Sequence, residues 1–145
     1  MAEFMMKDMV EKMGVKDDFY IASAATSSEE IWNGRGNPVY PPAKQELIRH
    51  GIGKTAYTDF SSKRAVQVTR ADYGKYDYIL CAEERNVRNT ARITGGDPDS
   101  KIRRLLDYSG HPRDIADPWY TGVFDITYED IDEGLRAFLE YLGYK

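Results

Sequence analysis

At 145 residues, of which 41% are hydrophobic, the chain is long enough to bury one core, and a single domain spanning 1–145 is expected. Its formal charge of -4 argues against a general nucleic-acid or membrane-surface binder, because either partner would repel the net field. No apolar run approaches the roughly 20 residues that cross a bilayer, and the amino terminus lacks the order of a signal peptide, so the cytoplasm is the expected compartment. One cysteine, Cys81, and two distant histidines provide neither a disulfide framework nor a zinc-spaced cluster, so no metal or other cofactor is expected.

In chain order, MAEFMMKDMVEKMG sets Ala2, Met6, Met9, Val10 and Met13 on one helical face, with Gly14 as the stop. Residues 19–24 (FYIASA) and 77–82 (DYILCA) are short apolar runs without polar alternation, which predicts strands covered on both faces. Between them, Pro41 and Pro42 open a helical pattern through Leu47 and Ile48 that Gly51 ends, and Thr69 with Asp72 has the spacing of a helix amino-terminal cap. Residues 83–93 read as a helix and 102–106 as a further strand. Alternation of strand and helix predicts an α/β fold with a short parallel sheet flanked by helices. The stretch 107–125 is too long for an ordinary connection and is a candidate functional loop. From Thr127 onward, Ile131, Leu135, Phe138, Leu139 and Leu142 form one stripe of a final helix that ends at Gly143.

Four blocks in this order, SAATS (23–27), AVQVT (65–69), DYILC (77–81) and DPWYTG (117–122), resemble the low-molecular-weight protein tyrosine phosphatases, and the resemblance runs the length of the chain. It implies a three-layer α/β fold whose parallel sheet has the order 2-1-3-4. It also implies hydrolysis of phosphotyrosine proteins or small aryl phosphates through a cysteinyl-phosphate intermediate. In the family the nucleophile lies in a C-x5-R-S loop. Consecutive backbone amides and a helix terminus there lower the thiol pKa and hold the phosphoryl oxygens, and the arginine adds a bidentate clamp. That loop directly precedes the first helix, and the present sequence opens at MAEF, so the loop and the first strand are expected to be missing. Cys81 does not replace the nucleophile, because the C-x5-R pattern requires an arginine where Val87 stands. A cysteine inside a predicted strand reads as a buried structural thiol.

Residue by residue, the resemblance makes Asp117 the general acid that protonates the leaving phenolate and later activates water. It makes Trp119 and Tyr120 aromatic walls of the substrate pocket. Trp32 falls in a variable loop at the pocket edge, where Glu29 and Glu30 compete for the same positions. Ser23 matches a serine that supports the phosphate loop, and Lys63 stands where many relatives carry a histidine of that support network, which puts the network in question. Asn86 matches a position after the DYILC strand. His50 and His111 read as helix-end and loop residues.

The thioredoxin-coupled arsenate reductases of the same fold need redox cysteines that this chain lacks. The alternative of another class is a noncatalytic pseudophosphatase that binds or scaffolds a partner, favoured by the missing loop and disfavoured by the retained DPWYTG. Without a central first strand, the neighbouring strands would present unpaired edges that favour homo-oligomers formed by strand exchange.

Overall fold

The structure, a computed structural model, describes residues 1–26, 31–32, 35–36, 38–115 and 124–144. These residues group into two compact units, Met1–Val66 and Gln67–Lys145.

In the first unit, α1 (Ala2–Lys12) carries Glu3 in its first turn and Lys12 in its last, charges that suit the helix dipole at each end. Its buried side chains are Glu3, Phe4, Met5, Met6 and Val10. The expected stripe therefore holds at Met6 and Val10, whereas Ala2, Met9 and Met13 are only half buried. The helix is turned toward Phe60, whose ring meets Phe4 edge-on at 5.7 Å. Gly14 adopts φ 74° and Gly51 φ 75°, a region L side chains avoid. Each ends its helix with a paired closure: Gly14 N–H donates to Glu11 O and Val15 N–H to Val10 O, and Gly51 N–H donates to Ile48 O and Ile52 N–H to Leu47 O. The second of these helices, α2 (Pro41–Arg49), starts on a proline whose missing N–H costs nothing in the first turn. It buries Ala43, Glu46 and Leu47 and leaves Ile48 56% exposed. Ile52, Thr58 and Phe60 belong to the same buried set. β1 (Ile31–Trp32) and β2 (Arg35–Gly36) pair antiparallel, Trp32 opposite Arg35.

The expected strand over 19–24 is not present. Tyr20 is 71% exposed, and Ala22, Ser23 and Ala24 are exposed too, so two-sided burial fails there. An apolar run becomes a strand only where a neighbour completes its ladder, and a backbone bond of that kind is made just beyond the run, from Ala25 N–H to Val66 O at 2.8 Å.

In the second unit, Asp72 opens α3 (Asp72–Lys75) and reaches back to accept from Thr69 N–H at 2.8 Å, the spacing expected from the sequence. β3 (Ile79–Cys81) and β4 (Ile102–Arg104) pair parallel, Ile79 with Ile102 and Cys81 with Arg104. Between them runs α4 (Glu84–Thr94), opened by a reciprocal box of Glu83 and Asn86 in which Glu83 N–H donates to Asn86 Oδ1 at 3.0 Å. The unit is thus α/β, a short parallel sheet with helices. β4 ends two residues before the expected boundary, because Asp107 accepts from Arg104 N–H and Nε and turns 105–108 into a 3-10 helix. α5 (Phe124–Tyr141) buries Thr127, Ile131, Gly134, Leu135, Phe138 and Leu139. It packs on the 3-10 turn so closely that a Cβ at Gly134 would stand 2.5 Å from Leu105 Cγ. Cys81, Ile102, Leu106 and Ile115 complete this core.

Candidate active site

The first turn of α1 faces inward with a carboxylate. Glu3 is 7% exposed, and its Oε1 accepts from Ser23 Oγ at 2.7 Å and pairs with Lys63 Nζ at 2.9 Å, while Oε2 accepts from Lys7 Nζ at 3.0 Å. Lys63 Nζ also donates to the Ser23 carbonyl at 3.2 Å. Burial pushes the Glu3 carboxyl up, but the donors Ser23, Lys63 and Lys7 outweigh it and hold the group below its ordinary value. The two ammonium groups and the hydroxyl therefore face a standing anion.

Lys63, the departure from histidine, reaches both Glu3 and the Ser23 carbonyl. Ser23 is held by its hydroxyl as well as by its backbone. The residue that joins them, Glu3, was not singled out by sequence reasoning. Its signal was a carboxylate beside the apolar stripe of α1, which a periodicity count treats as solvent-facing.

In the second unit, the carboxyl end of β3 is the informative edge, since open parallel sheets bind ligands beyond the carboxyl ends of their strands. Ile115 N–H donates to the Ala82 carbonyl, one residue past β3, at 2.9 Å, and the Ile115 side chain is 5% exposed. Asp114 Oδ1 accepts from Glu84 N–H at 2.9 Å, at the amino end of α4, and from Arg104 Nη1 at 3.1 Å. The Glu84 amide above all holds the Asp114 carboxyl below its usual range; burial opposes it, and Arg104 adds to the lowering. Arg113 Nη2 donates to Asp130 Oδ1 at 2.8 Å and Nη1 to Glu133 Oε2 at 3.1 Å, both on α5. These three residues were also missed, because their partners lie far along the chain and leave no local pattern.

Cys81 is 8% exposed, and its Sγ lies 3.8 Å from Thr90 Oγ1. Burial raises its thiol pKa, the reverse of what a nucleophile needs. Asn86 belongs to the cap of α4, and His50 Nε2 lies 3.1 Å from Glu46 Oε1 at the end of α2. His111 sits in a loop, its N–H donating to Ser109 Oγ at 3.1 Å. Trp32 stands in β1. Asp117, Trp119 and Tyr120, like Glu29 and Glu30, lie outside the described residues. Among the described residues, no group of three or more His, Cys, Asp or Glu side chains is placed to hold a metal ion. No helix among them is long and apolar enough to cross a membrane.

Comparison with known proteins shows the family and the fold. The profile of the family described as low molecular weight phosphotyrosine protein phosphatase matches residues 1–145. A low molecular weight phosphotyrosine protein phosphatase of Dictyostelium discoideum is 30% identical, over 97% of this chain and 84% of its own. The human protein of the same name is 32% identical over 96% of this chain and 84% of its own. The crystal structure of YfkJ from Bacillus subtilis superposes with a TM-score of 0.86 at 28% identity, covering 98% of this chain and 84% of that one. With a family profile matched across its whole length and relatives at this identity, the chain belongs to the low molecular weight phosphotyrosine protein phosphatase family.

Proposed function

We propose that the complete protein hydrolyses phosphotyrosine, in proteins or in small aryl phosphates, through a cysteinyl-phosphate intermediate, with Asp117 as the general acid. In this reading residues 1–145 are one phosphatase-like domain acting in the cytoplasm. Trp119, Tyr120 and Trp32 flank the substrate ring, and Ser23, Lys63 and Glu3 brace the start of α1, which the family's phosphate loop precedes. No metal or cofactor takes part. The C-x5-R nucleophile loop is absent from these 145 residues, so by themselves they are expected to turn over no substrate.

The observation that carries the reading is the bond from Ile115 N–H to Ala82 O at 2.9 Å. Asp117 is two residues further along, and two residues of extended chain span at most about 7 Å. The described chain is thus held at the carboxyl end of β3 two residues before Asp117. That is the edge of a parallel sheet where a phosphate loop and its leaving group would meet an acid.

The test joins the strand and C-x5-R loop of the Bacillus subtilis relative ahead of Met1 and assays phenyl phosphate and phosphotyrosine at mildly acidic pH. Asp117→Asn should lower turnover roughly 10²- to 10⁴-fold with little change in KM. Full activity in Asp117→Asn would remove it from the mechanism. Turnover by the 145-residue chain alone that vanishes in Cys81→Ser would instead make Cys81 the nucleophile.

A further inference from the structure

In the second unit Arg104, Arg113 and Arg136 each meet a carboxylate within 3.1 Å. The three arginines of α4 do not. Among the described residues the one ion-pair partner of Arg85 is Glu83, at 3.9 Å, Arg92 donates from Nη1 to the neutral Asn89 Oδ1 at 3.2 Å, and Arg88 makes no ion pair. At offsets of three and seven they share one face of the helix, all exposed, opposite the buried Thr90 and Thr94. At the carboxyl end Arg70, also exposed, lies where a Cβ on Gly95 would stand 3.3 Å from its Nη2, and adds a fourth guanidinium.

Folding alone does not reward this stripe. Like charges three and four residues apart on a helix repel one another. Arg92, in the last turn, suits the macrodipole, but Arg85, in the first, opposes it. A face that works against its own helix points to an outside partner.

We propose that the arginine face of α4 binds a short, extended, acidic peptide segment of a partner protein. Carboxylates on alternate residues of such a segment lie about 6.7 Å apart, and the arginines lie about 4.5 and 6 Å apart along the helix axis, a difference their long side chains absorb. Each guanidinium offers a carboxylate two parallel bonds. A nucleic acid or an anionic membrane carries its charge far beyond a stripe of roughly 10 Å and meets the net field of -4, whereas a segment of about five residues stays within the stripe. The surface is independent of the reading of Asp117 as the acid.

The test titrates the 145-residue chain into a short fluorescein-labelled peptide of alternating Glu and Gly and follows anisotropy. Binding should saturate at about 20 mM salt and weaken several-fold by about 150 mM. Arg85→Gln, Arg88→Gln and Arg92→Gln combined should weaken it roughly ten-fold or more, as should Arg88→Glu alone, and Arg136→Gln less than about two-fold. The urea midpoint of the triple variant should equal or exceed that of wild type, because repulsion has been removed. No saturable binding at low salt, or equal binding by the triple variant, would overturn the proposal. A lower midpoint in the triple variant would make the arginines part of the fold's own stability and remove the argument for a partner. Tighter binding of a single-stranded oligonucleotide or of phosphatidylserine vesicles, lost in the same variant, would assign the face to that polyanion and overturn the choice of a peptide.

Discussion

Glu3→Gln removes one charge from a nearly closed site and keeps the shape of the side chain. Oε1 serves both Ser23 and Lys63, and Oε2 serves Lys7, so the amide nitrogen of glutamine has to face a donor in either orientation. The milder orientation sets it against Lys7, whose side chain is 19% exposed and able to turn to water. One charge-assisted bond is then lost, a loss of about 1.5–3 kcal/mol, and the remaining two weaken. With a urea slope of about 1–3 kcal/mol/M, the midpoint should fall by roughly 1 M. The loss should also depend on pH. The Glu3 carboxyl is held below its ordinary value in the folded chain, so its contribution is complete above the unfolded pKa of about 4.3 and fades as pH falls through the folded value. The gap between wild type and Glu3→Gln should therefore be widest near pH 6 and shrink toward pH 3. Urea unfolding of both proteins between pH 3 and pH 6 measures this. A gap below about 0.5 kcal/mol at pH 6, or one that does not narrow in acid, would refute the claim that Glu3 is a standing anion braced by Ser23 and Lys63.

Three further outcomes are expected. Cys81, buried with a raised thiol pKa, should react with a disulfide reagent at neutral pH only at the rate of unfolding, and Cys81→Ser should lower stability by about 1–2 kcal/mol through burial of a hydroxyl. Gly134→Ala places a methyl 2.5 Å from Leu105 Cγ. The overpacking, about 1–3 kcal/mol, should exceed the helix-propensity gain of about 1 kcal/mol, and Leu105→Val should recover part of the lost midpoint. Asp114→Asn keeps a cap acceptor for Glu84 N–H but gives up the ion pair to Arg104, so its urea midpoint should lie within about 1 kcal/mol of wild type, whereas Asp114→Ala should lose about 1–2 kcal/mol.

The parts of this fold that were legible are those written in local chemistry. Gly14, Gly51 and Gly143 were each read as stops, and each follows a helix and closes it with the same backbone pattern. Residues 83–93 read as a helix, and one forms over Glu84–Thr94, opened by the Glu83–Asn86 box. The run 19–24 misled because apolar composition reports a preference for burial, while a strand exists only where a second backbone answers it. The boundary at 106 misled because one side chain, Asp107, turns the chain out of β4. Ser23 and Lys63, which the resemblance pointed to, meet at Glu3, but Glu3, Arg113 and Asp114 were not singled out from the sequence. Apart from the Glu3–Lys7 pair four residues apart, their ion-pair partners lie between 10 and 60 positions away by residue number, and an ion pair across such a gap imposes no periodicity on the sequence.

The start of α4 is capped twice, once by its own neighbours Glu83 and Asn86 and once by Asp114, which arrives from 30 residues further along. The first cap can form while the helix is an isolated segment, on the submicrosecond timescale of helix growth. The second must wait until the chain has passed through β4 and the 3-10 turn and come back to the end of β3. A segment so arranged records the order of assembly at its own amino terminus. If the far cap forms after the rate-limiting step, Asp114→Ala should mainly speed unfolding and loss of the near cap should slow folding, which stopped-flow rates of the two variants would show.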